Sequence, residues 1–229
     1  MAQVKERQRR FELPEMEGAL ARWYAQNRGS ASQVAAYREQ ASQLTAGLPD
    51  GARVLEVAPG PGYLAIEIAR LGRFPVTALD ISHTFVEIAT EHARRAGVRV
   101  DFRQGDVAGM PFEAGSFDLI VCQAAFKNFP RPVAALDEMH RVLRPGGTAV
   151  IQDMRRDASI GEIAEEVRGM RAGRLNALLT WGALFGLKFR AYSPARFAAL
   201  VARSAFDRCD IRPEGIGMEI RLPKRGPGA

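Results

Sequence analysis

Cysteine, histidine and long apolar runs are all scarce in this chain of 229 residues. Its two cysteines, Cys122 and Cys209, both lie inside apolar strand-like runs. A disulfide framework is therefore not expected, and a reduced, cytoplasmic compartment is the default. No cluster of cysteine and histidine has metal-ligand spacing, so no metal site is expected. No apolar run is long enough for a transmembrane segment. The charged stretch Met1–Arg10 lacks the apolar centre of a signal peptide. Acidic residues are outnumbered, 26 against 32 lysines and arginines, giving a net charge of +6, which permits contact with nucleic acid. The basic runs, however, are short and scattered: Lys5–Arg10, Arg94–Arg95, Arg155–Arg156 and Lys224–Arg225. They read as solvated surface, and nucleic acid is not the expected partner. A hydrophobic share of 47% at this length supports one domain with additions.

What the chain does have is one well-marked stretch, Val54-Leu-Glu56-Val-Ala58-Pro-Gly60-Pro-Gly62-Tyr-Leu-Ala65. An apolar run between Gly51 and Pro59 reads as a short strand buried on both faces. Pro59 to Gly62 force a tight turn, and Leu64, Ala65, Ile68, Ala69 and Leu71 follow at helical spacing up to Gly72. A glycine turn between strand and helix leaves bare backbone for a ligand. Taken alone, Gly60-Pro-Gly62-Tyr-Leu-Ala65 also satisfies the dinucleotide pattern G-x-G-x-x-G/A. A tight turn with no ligand is the plain alternative.

Upstream, residues 1–12 are polar and read as loosely ordered. Pro14–Asn27 predicts a helix with Met16, Leu20, Trp23 and Tyr24 as its apolar patch. Ser30 or Ser32 caps a second helix reaching about Leu44. Downstream, Phe74–Ile81 predicts a second strand ending in Asp80, about 20 residues past the turn, where a ribose-binding carboxylate belongs. Ser82 or Thr84 caps a helix with Phe85, Ile88, Ala89, His92 and Ala96 on one side, closed by Gly97. Val98–Arg103 is a third strand, followed by Asp106, which is also suited to a turn or cap. Phe117–Ala124 is the fourth strand. Pro132 opens a helix on which Leu136, Met139, His140 and Leu143 share a face, which favours packing over catalysis for His140. Arg144–Gly147 reads as a turn and Thr148–Gln152 as the fifth strand. Pro194 starts a later helix, and Cys209–Pro213 and Met218–Leu222 are closing strands around Gly215-Ile-Gly217, before a short tail at 224–229.

Residues 50 to 154 resemble the core of class I S-adenosylmethionine (SAM) methyltransferases. The resemblance rests on Glu56 with its glycines, Asp80, Asp106, the Asp118 strand, and Leu136-Asp-Glu-Met-His-Arg-Val-Leu-Arg-Pro-Gly-Gly147. The last run is similar to the family of ubiquinone and menaquinone biosynthesis methyltransferases and of many natural-product methyltransferases. The dinucleotide reading explains the first two features and gives no reason for the others. Ala58 stands where the family usually has its first glycine. The departure is mild, because alanine is small and suits a negative φ there.

The resemblance implies an α/β fold: a Rossmann-like seven-stranded sheet, mostly parallel with an antiparallel seventh strand. Residues 1–50 would be an N-terminal helical cap, 51–154 the SAM-binding core, 155–192 a helical lid and 193–224 the closing helix and strands. The implied cofactor is SAM. Glu56 would lie near its methionine amino end, with the backbone of Ala58, Gly60 and Gly62 along it. Asp80 would take the ribose hydroxyls, Ile81 the adenine face, Asp106 and Val107 the adenine edge, and Gln123 the methionine part. The implied partner is a small-molecule acceptor. Cys122-Gln-Ala-Ala-Phe126 lacks the Asp/Asn-Pro-Pro-Tyr/Phe of base-amine methylation, and no proline precedes Cys122. A nucleic-acid or protein methyltransferase and a non-catalytic SAM- or NAD-binding module remain the alternatives.

No catalytic residue is assigned. His83, Asp153 and Tyr192 are candidate bases. Lys127 stands where relatives often carry histidine, and reads as an anion contact or a solvent-exposed group. Residues 155–192 are rich in large apolar side chains, including Trp181, Phe185 and Phe189. Gly169, Gly173, Gly182 and Gly186 are expected to break this segment into pieces. It reads as a substrate lid, as a cap packed on the core, or as an interface between two copies in a homodimer.

Overall fold

A computed structural model describes residues 16–27, 29–169 and 174–226. The expectations for residues 1–12, for a helix start at Pro14, for Gly173 and for the last three residues of the tail lie outside these. In chain order the elements are α1 (Gly18–Gln26), α2 (Ala31–Leu44), β1 (Val54–Val57), α3 (Tyr63–Arg70), β2 (Val76–Asp80), α4 (His83–Ala96), β3 (Asp101–Gln104) and β4 (Phe117–Gln123). Then follow α5 (Pro132–Val142), β5 (Leu143–Met154), α6 (Ile160–Gly169), α7 (Arg174–Lys188), α8 (Pro194–Val201), β6 (Asp210–Glu214) and β7 (Gly217–Pro223). They build a seven-stranded sheet in the order β3-β2-β1-β4-β5-β7-β6. β7 runs antiparallel to both neighbours, and the other strands are parallel.

The central strands are apolar on both faces because helices cover both. Alternation along each strand deals its residues into two layers. Leu55, Val57, Ile120, Cys122 and Ile151 meet Leu136 and Met139 of α5 and Phe197 and Val201 of α8. Val54, Leu119, Val121 and Val150 meet Ala41 and Leu44 of α2 and Leu64 and Ile68 of α3. Each valine, leucine, isoleucine, methionine or phenylalanine among them, fully buried, contributes about 1.5–3 kcal/mol. Among the described residues no helix is long and apolar enough to cross a membrane.

Three elements depart from the sequence pattern. On α1 the buried residues are Ala21 and Ala25, whereas Leu20 is half-exposed and Trp23 is 61% exposed. The helix lies so close to the start of α4 that only small residues fit between: the Gly18 N–H donates to Thr84 Oγ1 at 2.9 Å. Of the predicted patch, Tyr24 does pack, edge-on against Phe85. The second departure is at Arg144–Gly147, which belongs to β5. The Gly146 N–H donates to the Lys224 carbonyl and the Lys224 N–H to the Gly147 carbonyl, both at 2.9 Å, which extends the ladder through the turn. Finally, Gly182 and Gly186 sit inside one continuous helix, α7. A single glycine costs a helix about 1 kcal/mol, too little to break one held by its neighbours.

Candidate functional site

β1 and β4 are adjacent and parallel, yet the helices that follow them, α3 and α5, pack on opposite faces of the sheet. A crevice at the carboxyl ends of the strands results, and this is where such sheets bind ligands. The loop out of β1 crosses it in left-handed conformation: φ is +55° at Ala58, +54° at Gly60 and +80° at Gly62. The expected negative φ at Ala58 is thus corrected. Alanine holds a glycine's angle there, fixed by its N–H donating to the Leu79 carbonyl at 2.8 Å. Ala124, just past β4, has φ +52°. Together with Ala58 it makes two strained non-glycine residues at the ends of neighbouring strands, a pattern typical of ligand sites. The sequence around Ala124 carries no signal of this.

The two glycines differ in what surrounds them. A Cβ on Gly60 would meet nothing within 4 Å, so this part of the turn is an open cradle. A Cβ on Gly62 would lie 2.8 Å from Ala89 Cβ and 2.9 Å from the Phe102 ring. Gly62 is therefore required by packing of the turn onto α4 and β3, not by space for a ligand as the sequence suggested.

Acidic groups line the crevice. Glu56, in β1, is buried, and burial together with the nearby Asp80 charge pushes its carboxyl up to about 8. The Ala65 backbone N–H favours its charged form, but Oε2 has no hydrogen-bond partner among the described residues. Asp80 accepts from the Gly60 N–H at 3.0 Å and the Ser82 N–H at 2.9 Å. Burial raises its pKa, those N–H groups oppose the rise, and the charge on Glu17 adds to it. Glu17 reaches in from α1's N-terminal edge to the His83 N–H (2.7 Å), the Thr84 N–H (3.1 Å) and the Thr84 hydroxyl. The Thr84 hydroxyl, with the two N–H groups, holds the Glu17 carboxyl below its ordinary range. The sequence reading missed Glu17, since its role depends on α1 docking at the start of α4.

The remaining expected residues fall around the same crevice. Ile81 is 44% exposed, an apolar surface beside Asp80. Asp106 caps a single 3-10 turn, Val107–Gly109, accepting from the Ala108 N–H at 2.8 Å, and also pairs with Arg131 at 2.7 Å. Gln123, half-buried at the end of β4, donates to Gln152 Oε1 at 2.7 Å.

The candidate bases fare unevenly. His83 is exposed beside Glu87, 3.6 Å away. Tyr192 is buried among the Phe126 and Phe197 rings. Asp153 is buried and paired with Lys127 Nζ at 2.7 Å. Lys127 is thus neither solvent-exposed nor a free anion contact. Its Nζ also donates to the Ala124 carbonyl, and its N–H to Asp153 Oδ2 at 2.9 Å. The pair ties the strained loop after β4 to the end of β5. His140 packs edge-on against Phe206, and burial and the Lys224 charge lower its pKa, in keeping with a packing role. Burial pushes the Cys122 thiol far up, which leaves it inert. Among the described residues no three His, Cys, Asp or Glu side chains come together as a metal site.

Residues 55–151 match the family model described as a methyltransferase domain. A curated relative from Xanthomonas axonopodis pv. citri, a ubiquinone biosynthesis O-methyltransferase, is 38% identical over 109 residues, 47% of this chain and 45% of the relative. The chain thus aligns with less than half the length of such relatives. Among solved structures, a SAM-dependent methyltransferase from Aquifex aeolicus superimposes with a TM-score of 0.68 at 16% identity, over 88% of this chain and 97% of that one. The cyclase SpnF superimposes with a TM-score of 0.58 at 23% identity, over 87% of this chain and 84% of its own. These two likenesses are of fold.

Proposed function

We propose that this chain, whose residues 55–151 are a methyltransferase domain, binds SAM in the β1–β4 crevice and methylates an oxygen on a small, largely apolar acceptor. One observation carries the cofactor reading: the buried, unpaired Oε2 of Glu56, in a crevice ringed by Asp80 and Glu17, inside a protein that is basic overall. A buried carboxyl that keeps its proton for want of a partner would ionise at neutral pH once a cation lay against its free oxygen. SAM carries two, an ammonium and a sulfonium, which suit this acidic lining better than the pyrophosphate of a dinucleotide would. The residues present fit it. Glu56 would hold the amino end, Asp80 the ribose hydroxyls through lone pairs its two N–H donors leave free, and Ile81 one face of the base. Val107 and the Asp106 cap would take the edge of the base, and the backbone of Ala58 and Gly60 would lie along the cofactor between them. Gln123 would hold the methionine part.

When bound, the cofactor supplies a methyl group already electrophilic on sulfur. The chain's task is therefore alignment and exclusion of water, and orientation can contribute about 7–11 kcal/mol to such a transfer. Glu56 neutralises charge at one end of the crevice. The Lys127–Asp153 pair fixes the loop that forms its β4 side. α1 docks at the start of α4, and the α6–α7 pair packs on Met154 at the end of β5; their aromatic side chains would suit an apolar ring. Oxygen as the acceptor atom is supported by the O-methyltransferase relative. The proposed division keeps 1–50 as the cap, 51–154 as the cofactor core, 155–192 as the acceptor-side cover and 193–224 as the closing unit.

The test is incubation with methyl-labelled SAM and a panel of phenols, catechols, amines and thiols, read by mass spectrometry. Label in an ether of a phenolic ring is the expected product. Label confined to nitrogen or sulfur products would overturn the oxygen assignment. Label in RNA or protein alone would overturn the small-molecule reading.

A further inference from the structure

On the α2-facing side of the sheet the apolar layer stops short of the carboxyl ends. Beyond Val54, Val121 and Val150 stand Glu56, Gln123 and Gln152, with Glu219 beside them, on the four adjacent strands β1, β4, β5 and β7. Gln123 lies in register with Gln152, and Gln152 with Glu219. Gln152 Oε1 accepts from Gln123 Nε2 and from Gln40 Nε2 of α2, each at 2.7 Å. Gln152 Nε2 donates to Glu219 Oε2 at 2.8 Å, and Glu219 Oε1 accepts from Arg221 Nε at 2.7 Å.

The chemistry of this row allows one orientation. An ionised carboxylate only accepts, so Gln152 must turn its NH2 toward Glu219 and its carbonyl toward Gln123 and Gln40. A carbonyl only accepts, so Gln123 must in turn present its NH2 to Gln152. Its own carbonyl oxygen is then directed away from the row, and no described residue donates to it. A charge on β7 thereby fixes the polarity of a side chain on β4, two strands away.

We propose that Glu219 and Gln152 are positioning residues which hold Gln123 carbonyl-outward, so that Gln123 Oε1 and Glu56 Oε2 form a two-acceptor seat for a primary ammonium. Under the function proposed above, on which this inference rests, that ammonium is the α-amino group of SAM. Val121 is in register with Glu56, and Gln123 lies two residues further along the same face, so the two side chains are diagonal neighbours on the adjacent strands β1 and β4. An ammonium has three donors and no acceptor, and a reversed Gln123 would offer it an NH2. The row also ties α2 to β5 through Gln40. Its order has a use if the Gln123 end must be of one polarity.

Calorimetry with two probes tests this: S-adenosylhomocysteine and its analogue lacking the α-amino group. The native protein is expected to prefer the first. In Gln152→Met that preference should fall roughly tenfold, the scale of one hydrogen bond to a charged group, while affinity for the desamino analogue stays unchanged. Glu219→Leu should act in the same direction. In Gln123→Met the preference should fall as far, and adding Gln152→Met should lower it no further. Equal losses for both probes in Gln152→Met and Glu219→Leu would show a merely structural role and overturn the relay, as would no loss for either. Absence of S-adenosylhomocysteine binding by the native protein would instead sink the functional reading on which the relay stands.

Discussion

A carboxyl group buried beside Asp80 with one oxygen unpaired keeps its proton to about pH 8 in the folded chain, against about 4.5 in an exposed one. The folded state then binds a proton that the unfolded chain has released. The resulting stability is full below about 4.5 and declines as pH rises toward 8, by at most about 1.4 kcal/mol per pH unit. Denaturant titrations across that window should show a steeper decline in the native protein than in Glu56→Gln, where the raised Asp80 and lowered His140 still titrate. An unchanged slope in the variant would mean that Glu56 is ionised throughout. The two turn glycines give a second contrast at this scale. Gly62→Ala places a Cβ 2.8 Å from Ala89 and should cost stability by about 1–3 kcal/mol. Gly60→Ala meets nothing within 4 Å and should lose about 1 kcal/mol to its left-handed angle, while ligand affinity falls further. Melting temperature and S-adenosylhomocysteine calorimetry on both variants separate packing from binding. Equal effects on both measurements in both variants would contradict the distinction.

Elements whose pattern is local were legible from the residues alone. Val54–Val57 with its glycine turn, a cap for α4 at Ser82 or Thr84, of which the structure uses Ser82, and Asp80 at the end of β2 each follow from a few neighbouring residues. The buried face of α1 was not, because Ala21 and Ala25 are chosen by how closely α4 approaches, and Leu20 and Trp23 are left outside. Nor were the strained Ala124 and the buried Lys127–Asp153 pair, which depend on β4 and β5 lying side by side. Along α7 and just past its end the aromatic residues form a sequence: Trp181 stacks on Phe185 at 5.3 Å, and Phe185 meets Phe189 edge-on at 5.3 Å. Trp181 and Phe185 also pack on Met154, Ile163 and Ala191, whereas Phe189 is 56% exposed. Phe185→Ala should therefore destabilise by about 2–3 kcal/mol, toward the low end for a large core side chain because it is only part-buried. Phe189→Ala should leave the melting temperature nearly unchanged and act on acceptor KM. A large melting loss for Phe189→Ala with unchanged acceptor kinetics would make the end of α7 a packing element only.

Across the whole molecule, charge is sorted by depth. The surface carries the excess of lysine and arginine, while Glu56, Asp80 and Glu17 gather at the carboxyl ends of β1 and β2 and at the start of α4. A net charge of +6 alone pointed toward anionic partners; the interior of the crevice points the other way. The matched domain spans 55–151, and α1, α2, α6 and α7 lie outside it. Apart from Glu17, the proposed cofactor site thus falls within the matched residues, and acceptor choice is expected to reside in the flanking helices. The central claim is that this acidic crevice holds SAM. Calorimetry of SAM and NAD against the native protein and Asp80→Ala tests it most directly. SAM should bind at one site, NAD should give no heat of binding, and Asp80→Ala should weaken SAM by about 1.5–3 kcal/mol. NAD binding more tightly than SAM, or SAM binding unaffected by Asp80→Ala, would contradict it.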